Sequence, residues 1–85
     1  MAINNNQVTV TTSPTPLNSA DPDGANMSIH SEGAIYLGNE NVTIENGFYL
    51  NSGNILDVFI GPDEIFYAVV ETGRTTAYVL MTLNQ

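Results

Sequence analysis

The sequence predicts an all-β protein, a small antiparallel sandwich or barrel of about seven short strands with no substantial helix. Three observations lead to this prediction. The chain is rich in Thr, Val, Ile and Tyr, which suit strands, and in Asn, Gly and Pro, which suit turns. No stretch spaces its apolar residues as an amphipathic helix does. Short apolar stretches instead alternate with turn residues along the chain.

Each predicted strand is followed by residues that favour a turn. In the first strand Val8 and Val10 alternate with polar residues, and two prolines end it because proline cannot donate to a strand ladder. Asn46-Gly47 indicates a tight turn, since this pair tolerates a positive φ. The predicted strands are residues 7–12, 26–31, 34–37, 48–50, 55–60, 65–70 and 75–83, and residues 41–44 are a short strand or an extended loop.

Length and pattern predict one folded domain. The 85 residues fit a single domain, and the absence of cysteine excludes disulfides and thiolate-bound zinc. Residues 1–6 are polar and have no apolar period, so we expect an N-terminal arm that orders only against a partner. Residues 7–85 then form the β-sandwich domain, of jelly-roll or immunoglobulin-like architecture.

The charge balance restricts the partners. One Lys+Arg residue against nine Asp+Glu residues gives a net charge of −8. A sequence-independent nucleic-acid binder needs a basic surface, and so does a protein that docks on an anionic membrane. We therefore expect neither nucleic acid nor a membrane as partner.

The last three predicted strands are apolar on both faces. Asp57 and Glu71 are charged, so each should mark the outward-facing positions of its strand. The residues predicted to face inward are Leu56, Val58, Ile60, Phe66, Ala68, Val70, Ala77, Val79, Met81 and Leu83. The apolar residues predicted to face outward are Ile55, Phe59, Ile65, Tyr67, Val69, Tyr78 and Leu80.

Apolar outward positions favour an interface, because a solvated face of an antiparallel sheet should be polar. We interpret the seven outward residues as contacts with a second copy or another partner. Arg74, the only strong cation, lies in the turn before the last strand and could set the register of that contact. The alternatives are that a loop or the N-terminal arm covers this face, or that one strand is out of register.

Two groups of polar residues could in principle support chemistry. Asp21, Asp23 and Asn26 offer oxygen ligands for a cation, but a full calcium-loop pattern is absent and these residue types are common in solvated turns. Asp63-Glu64 is the only adjacent carboxylate pair, and it follows Gly61-Pro62 as a turn would.

His30 is the only histidine and shares the polar face of its predicted strand with Ser28. A catalytic histidine needs an orienting partner and an oxyanion site, which no residue pattern here supplies. We interpret His30 as a surface or interface residue. The sequence therefore predicts no enzyme, no cofactor and no metal site.

The last two thirds of the chain contain strand-and-turn segments in a fixed order. The segments are Met27-Ser28-Ile29-His30-Ser31-Glu32-Gly33, Ala34-Ile35-Tyr36-Leu37-Gly38, Asn41-Val42-Thr43, Asn46-Gly47-Phe48-Tyr49-Leu50, Ser52-Gly53, Pro62-Asp63-Glu64-Ile65-Phe66-Tyr67-Ala68-Val69 and Ala77-Tyr78-Val79-Leu80. From Ala34 onward their order and spacing resemble those of short virion proteins of tailed bacteriophages. His30 and Ser31 depart from the resemblance, because such sequences often have Asn near that strand end.

The resemblance implies a non-enzymatic structural protein of a phage virion. It favours a capsid decoration (cement) protein on the outer capsid surface, where a homotrimer, favoured over a dimer, contacts the major capsid protein. The alternative it leaves open is an adhesion module of the tail or fibre that binds host surface glycans. The charge of −8 suits a position away from packaged DNA, whose phosphates would repel it.

Overall fold

The computed structural model describes residues 2–20 and 22–83, and it confirms the all-β prediction. Those residues form eight strands and no helix. The strands are β1 (Ala2–Val10), β2 (Thr15–Pro16), β3 (Ala25–Ser31), β4 (Ile35–Gly38), β5 (Phe48–Leu50), β6 (Ile55–Ile60), β7 (Tyr67–Val69) and β8 (Thr75–Leu83).

The strands form two four-stranded antiparallel sheets. Sheet 1 has the order β1-β8-β3-β6, and sheet 2 has the order β2-β7-β4-β5. The sheets pack face to face as a sandwich rather than a closed barrel, and one apolar cluster between them draws side chains from both. Its largest fully buried apolar members are Leu17, Met27, Ile29, Ile35, Ile60 and Val10.

The predicted bounds of β6 and β8 are confirmed. Sheet 2 contains one strand, β2, that the sequence did not predict. Thr15 and Pro16 pair with Ala68 and Tyr67 of β7 and form the edge of sheet 2. Proline is accepted there because an edge strand needs hydrogen bonds on one side only.

The N-terminal residues differ from the predicted arm. Residues 2–6 belong to β1, and the ladder continues through them, with Asn4 opposite Met81 and Asn6 opposite Val79. Asparagine is a poor strand former, but the nine-residue β8 offers a backbone template along its full length. The arm is therefore corrected to strand for residues 2–6, and Met1 lies outside the described residues.

The connection between β4 and β5, residues 39–47, is a compact loop. Asn46 accepts a hydrogen bond from the Thr43 amide (2.8 Å), and the Gly47 amide donates to the Thr43 carbonyl (2.9 Å). Gly47 is required for space rather than for a positive φ: a β-carbon there would lie 2.7 Å from Cβ of Tyr36 and 2.9 Å from Cγ2 of Val42. The loop is thereby held close against sheet 2.

Candidate interaction surface

The predicted alternation of β6 is confirmed. Ile60 is buried, and Leu56 and Val58 pack against the core, whereas Ile55 and Phe59 are 68% and 58% exposed. Asp57, between them, faces outward and accepts a hydrogen bond from Oγ of Ser28 (2.5 Å). The single charge in this strand was therefore a correct marker of its outer face.

The alternation of β8 is confirmed as well. Ala77, Val79 and Met81 are buried in the core, Tyr78 is half-buried, and Leu80 is exposed on the other side. The side chain of Leu83, predicted to face inward, lies outside the described part of the structure.

The seven outward residues do not form one surface. Because β7 belongs to sheet 2, its residues and those of β6 and β8 lie on opposite faces of the sandwich. Ile55, Phe59, Tyr78 and Leu80 share the outer face of sheet 1. Ile65 and Tyr67 are half-buried on the side of sheet 2, and Arg74 is exposed in the β7–β8 turn, where it makes no ion pair with any described residue.

Val69 does not fit the predicted interface, because it is only 2% exposed. Its strand neighbour is Tyr36, and the 39–47 loop brings the buried Val42 to this face of sheet 2. Cover by a loop, one of the alternatives for the outward residues, therefore accounts for Val69.

The outer face of sheet 1 carries almost no charge. Asp57 is the only Asp or Glu that lies in a strand among the described residues, and every other described acid lies in a turn or loop. Depletion of charge together with exposed apolar and aromatic residues is the composition of an interface core.

A shallow groove of about 280 Å³, lined by both polar and apolar side chains, crosses the same face. Asn5 and Gln7 of β1 line one wall, and His30 of β3 stacks on Tyr78 of β8 with ring centroids 6.0 Å apart. The side chains of Asn5, Gln7 and His30 make no hydrogen bond with any described residue. They are free to donate to or accept from a ligand.

The sandwich is open along the side where β5 and β6 form the sheet edges. Phe48 shares the inner face of β5 with the buried Leu50, yet it is 62% exposed. It stands at the mouth of an apolar cleft of about 250 Å³ between the two sheets. The cleft is lined by Leu37, Gly38, Phe48, Leu56, Val58 and Phe66.

The open side concentrates the exposed apolar surface. Of the seven large hydrophobic residues that are exposed in the described chain, four lie on β5 and β6. They are Phe48, Tyr49, Ile55 and Phe59. Phe48 and Tyr49 were not predicted as surface residues, because the sequence alternation of a three-residue strand does not show which strand forms a sheet edge.

The other candidate residues do not assemble into a site. Asp63 has a positive φ of 61°, and Oε1 of Glu64 accepts the Gly61 amide (2.7 Å), so the predicted turn at this pair is confirmed. Asp23 lies in a turn and Asn26 in β3, and Asp21 is outside the described residues.

No group of three or more His, Cys, Asp or Glu side chains placed to hold a metal ion occurs within residues 2–20 and 22–83. The same residues contain no helix with the length and hydropathy needed to cross a bilayer.

No protein-family model matches the chain, and no curated protein matches it significantly.

Proposed function

We propose that the chain is a non-enzymatic structural protein of a tailed-phage virion, a decoration protein that stabilises the outer capsid surface by bridging capsid subunits. The observation that carries this proposal is the open side of the sandwich. An apolar cleft and the exposed Phe48, Ile55 and Phe59 are surfaces that a protein contact would bury.

The charge distribution supports a protein partner. The chain has a net charge of −8, and every described acid except Asp57 lies in a turn or loop, so the strands of sheet 1 present an almost uncharged face. Such a protein can contact the major capsid protein and further copies of itself through strands, while its acidic loops face water. The sequence resemblance to phage virion proteins supplies the virion context.

The mechanism is mechanical. Burial of about 300 Å² of apolar surface per contact, at about 25 cal/mol per Å², contributes roughly 7 kcal/mol before ordering costs. Capsid subunits joined through such a contact cannot separate without exposing that surface again. Repetition of the contact over a shell multiplies the effect.

The test is to locate the protein in virions of the phage that encodes it. Mass spectrometry of purified virions should detect the chain, and a reconstruction should place its density on the outer capsid. Virions from which the gene is deleted should lose their DNA at a lower temperature. A chain absent from virions, or present only in the tail, would contradict the decoration role.

The groove on the outer face of sheet 1 favours a second candidate, an adhesion module of the tail that binds host glycans. Free amide and imidazole groups beside the Tyr78 ring are suited to sugar hydroxyls and to the apolar face of a pyranose. A glycan array probed with the wild type and with Tyr78→Ala tests it: binding that is lost in the variant would support adhesion.

A further inference from the structure

We propose that Asn51 is a modification site at which the folded chain deamidates, and that the hydroxyl of Tyr49 assists the reaction. By sequence, Asn46-Gly47 is the more reactive pair, because the backbone nitrogen of glycine is the least hindered nucleophile toward a preceding asparagine. The fold reverses this order: it opposes the reaction at Asn46 and favours it at Asn51-Ser52. The reaction is independent of the proposed function.

Deamidation of asparagine uses only the chain and water. The backbone nitrogen of the next residue loses its proton to hydroxide and bonds to the side-chain carbon Cγ, which places a negative charge on Oδ1. Nδ2 then takes a proton from water and leaves as ammonia, so that a succinimide ring remains, and water opens the ring to aspartate or isoaspartate. The rate therefore depends on how the attacking nitrogen is placed and on what stabilises the charge on Oδ1.

The two reacting groups of Asn46-Gly47 are each bonded to a different atom of Thr43. Oδ1 of Asn46 accepts from the Thr43 amide (2.8 Å), and the Gly47 amide donates to the Thr43 carbonyl (2.9 Å). The backbone of Gly47 also packs closely, since a β-carbon there would lie 2.7 Å from Cβ of Tyr36. Attack on Asn46 would break both hydrogen bonds and displace this backbone, so the folded loop slows the reaction.

At Asn51 the two reacting groups are bonded to each other. The Ser52 amide donates to Oδ1 of Asn51 (3.0 Å), so the attacking nitrogen already lies against the side-chain carbonyl. The turn is fixed in this arrangement, because Oγ of Ser52 donates to the Glu32 carbonyl (3.0 Å) and the Gly53 amide donates to the Ser31 carbonyl (3.2 Å). Rotation about the Cβ–Cγ bond of Asn51 turns its carbonyl carbon toward the nitrogen.

Tyr49 supplies a second donor to the same oxygen. Its hydroxyl donates to Oδ1 of Asn51 (3.2 Å). A donor at this atom polarises the carbonyl before the attack and stabilises the negative charge that the attack creates. Asn51 is also exposed, so hydroxide and water reach it.

The modification changes the connection between the two edge strands of the open side. Asn51 lies in the turn that joins β5 to β6, and the product adds a carboxylate to a chain whose net charge is already −8. Isoaspartate also lengthens the backbone of this turn by one methylene group. The position of β5 relative to β6 therefore depends on the age of the protein.

The test compares the folded and the unfolded chain at the same mildly alkaline pH, in buffer and in concentrated urea. Pepsin, used at an acidic pH where deamidation is slow, cleaves within Phe48-Tyr49-Leu50 and so separates the two sites, and tandem mass spectrometry measures deamidation at each. We expect Asn46 to react faster in urea and Asn51 to react faster in buffer. Faster reaction of Asn46 under both conditions would overturn the proposal.

Tyr49→Phe tests the assisting hydroxyl. The loss of one hydrogen bond to the reacting oxygen should slow deamidation of Asn51 by about fivefold in buffer and leave its rate in urea unchanged. Tyr36→Phe is the matched control: Tyr36 lies opposite Tyr49 with ring centroids 5.2 Å apart, but its hydroxyl makes no hydrogen bond with any described residue. Far-UV circular dichroism shows that both variants are folded. An unchanged rate in Tyr49→Phe, or equal slowing in the two variants, would contradict the role of Tyr49.

Discussion

Asp63 holds a backbone conformation that its side chain disfavours. Its φ of 61° makes it the one non-glycine residue with a positive φ in the described chain, at the third position of the Gly61–Glu64 turn. Steric contact of the β-carbon makes this region costly by about 1–2 kcal/mol for most residues, and most of all for β-branched ones. The turn is nonetheless kept, because Glu64 bonds back to the Gly61 amide.

Asp63→Gly and Asp63→Val remove the same charge but differ in backbone freedom. We expect the glycine variant to be within about 0.5 kcal/mol of the wild type and the valine variant to be less stable by about 1–2 kcal/mol. Urea unfolding of both, followed by circular dichroism, measures the difference. Equal stabilities would show that the turn relaxes out of the left-handed region.

Val58 and Phe59 are neighbours with opposite environments. Val58 packs against the core, and Phe59 is mostly exposed. Val58→Asp should lower the free energy of unfolding by roughly 2 kcal/mol or more, because it places a carboxylate among apolar side chains. Phe59→Asp should change it by less than about 1 kcal/mol. Chemical denaturation of the two purified variants measures both free energies of unfolding. A larger loss for Phe59→Asp than for Val58→Asp would show that the two faces of the strand are exchanged.

At the scale of elements, β1 shows where sequence pattern fails. Val8 and Val10 alternate with polar residues and predicted a strand, but Asn4, Asn5 and Asn6 carry no such signal. These residues form a strand because β8 is long enough to pair with them. That pairing is a tertiary contact, which local strand propensity does not predict. The same limit explains Val69: its alternation predicted exposure, but a loop from another part of the chain covers it.

Deletion of residues 2–6 should therefore destabilise the isolated protein, whereas a disordered arm would be dispensable. The deletion removes the part of the ladder opposite Met81 and Val79, and we expect a loss of more than about 1 kcal/mol. Thermal unfolding of the truncated chain measures the loss. Asn5→Thr, which keeps the ladder and favours a strand, serves as the control and should be at least as stable as the wild type.

At the scale of the whole molecule, the sequence predicted the fold class, single strands and their faces, but not their assignment to sheets. Asp57 marked the outer face of β6 correctly because a charge is costly inside a core. Nothing local to β7 shows that it pairs with β2 and β4 rather than with β6 or β8. The open side beside Phe48 depends on that assignment, so the cleft could not have been located before the strand order was known.

The charge of the whole molecule should limit its stability. The chain has nine acidic residues and one strong cation, Arg74, which forms no ion pair with any described residue. The negative charges of the folded chain therefore repel one another.

Raising NaCl from about 10 mM to about 150 mM shortens the Debye length from about 30 Å to about 8 Å and should raise the melting temperature. Glu45→Lys, a change of an exposed loop residue that reduces the net charge, should raise the melting temperature at low salt and flatten its salt dependence. The melting temperatures are measured by calorimetry at a fixed, low protein concentration, so that association between copies does not affect them. A melting temperature that does not respond to salt would mean that the acidic loops lie too far apart in the folded chain for their repulsion to affect stability.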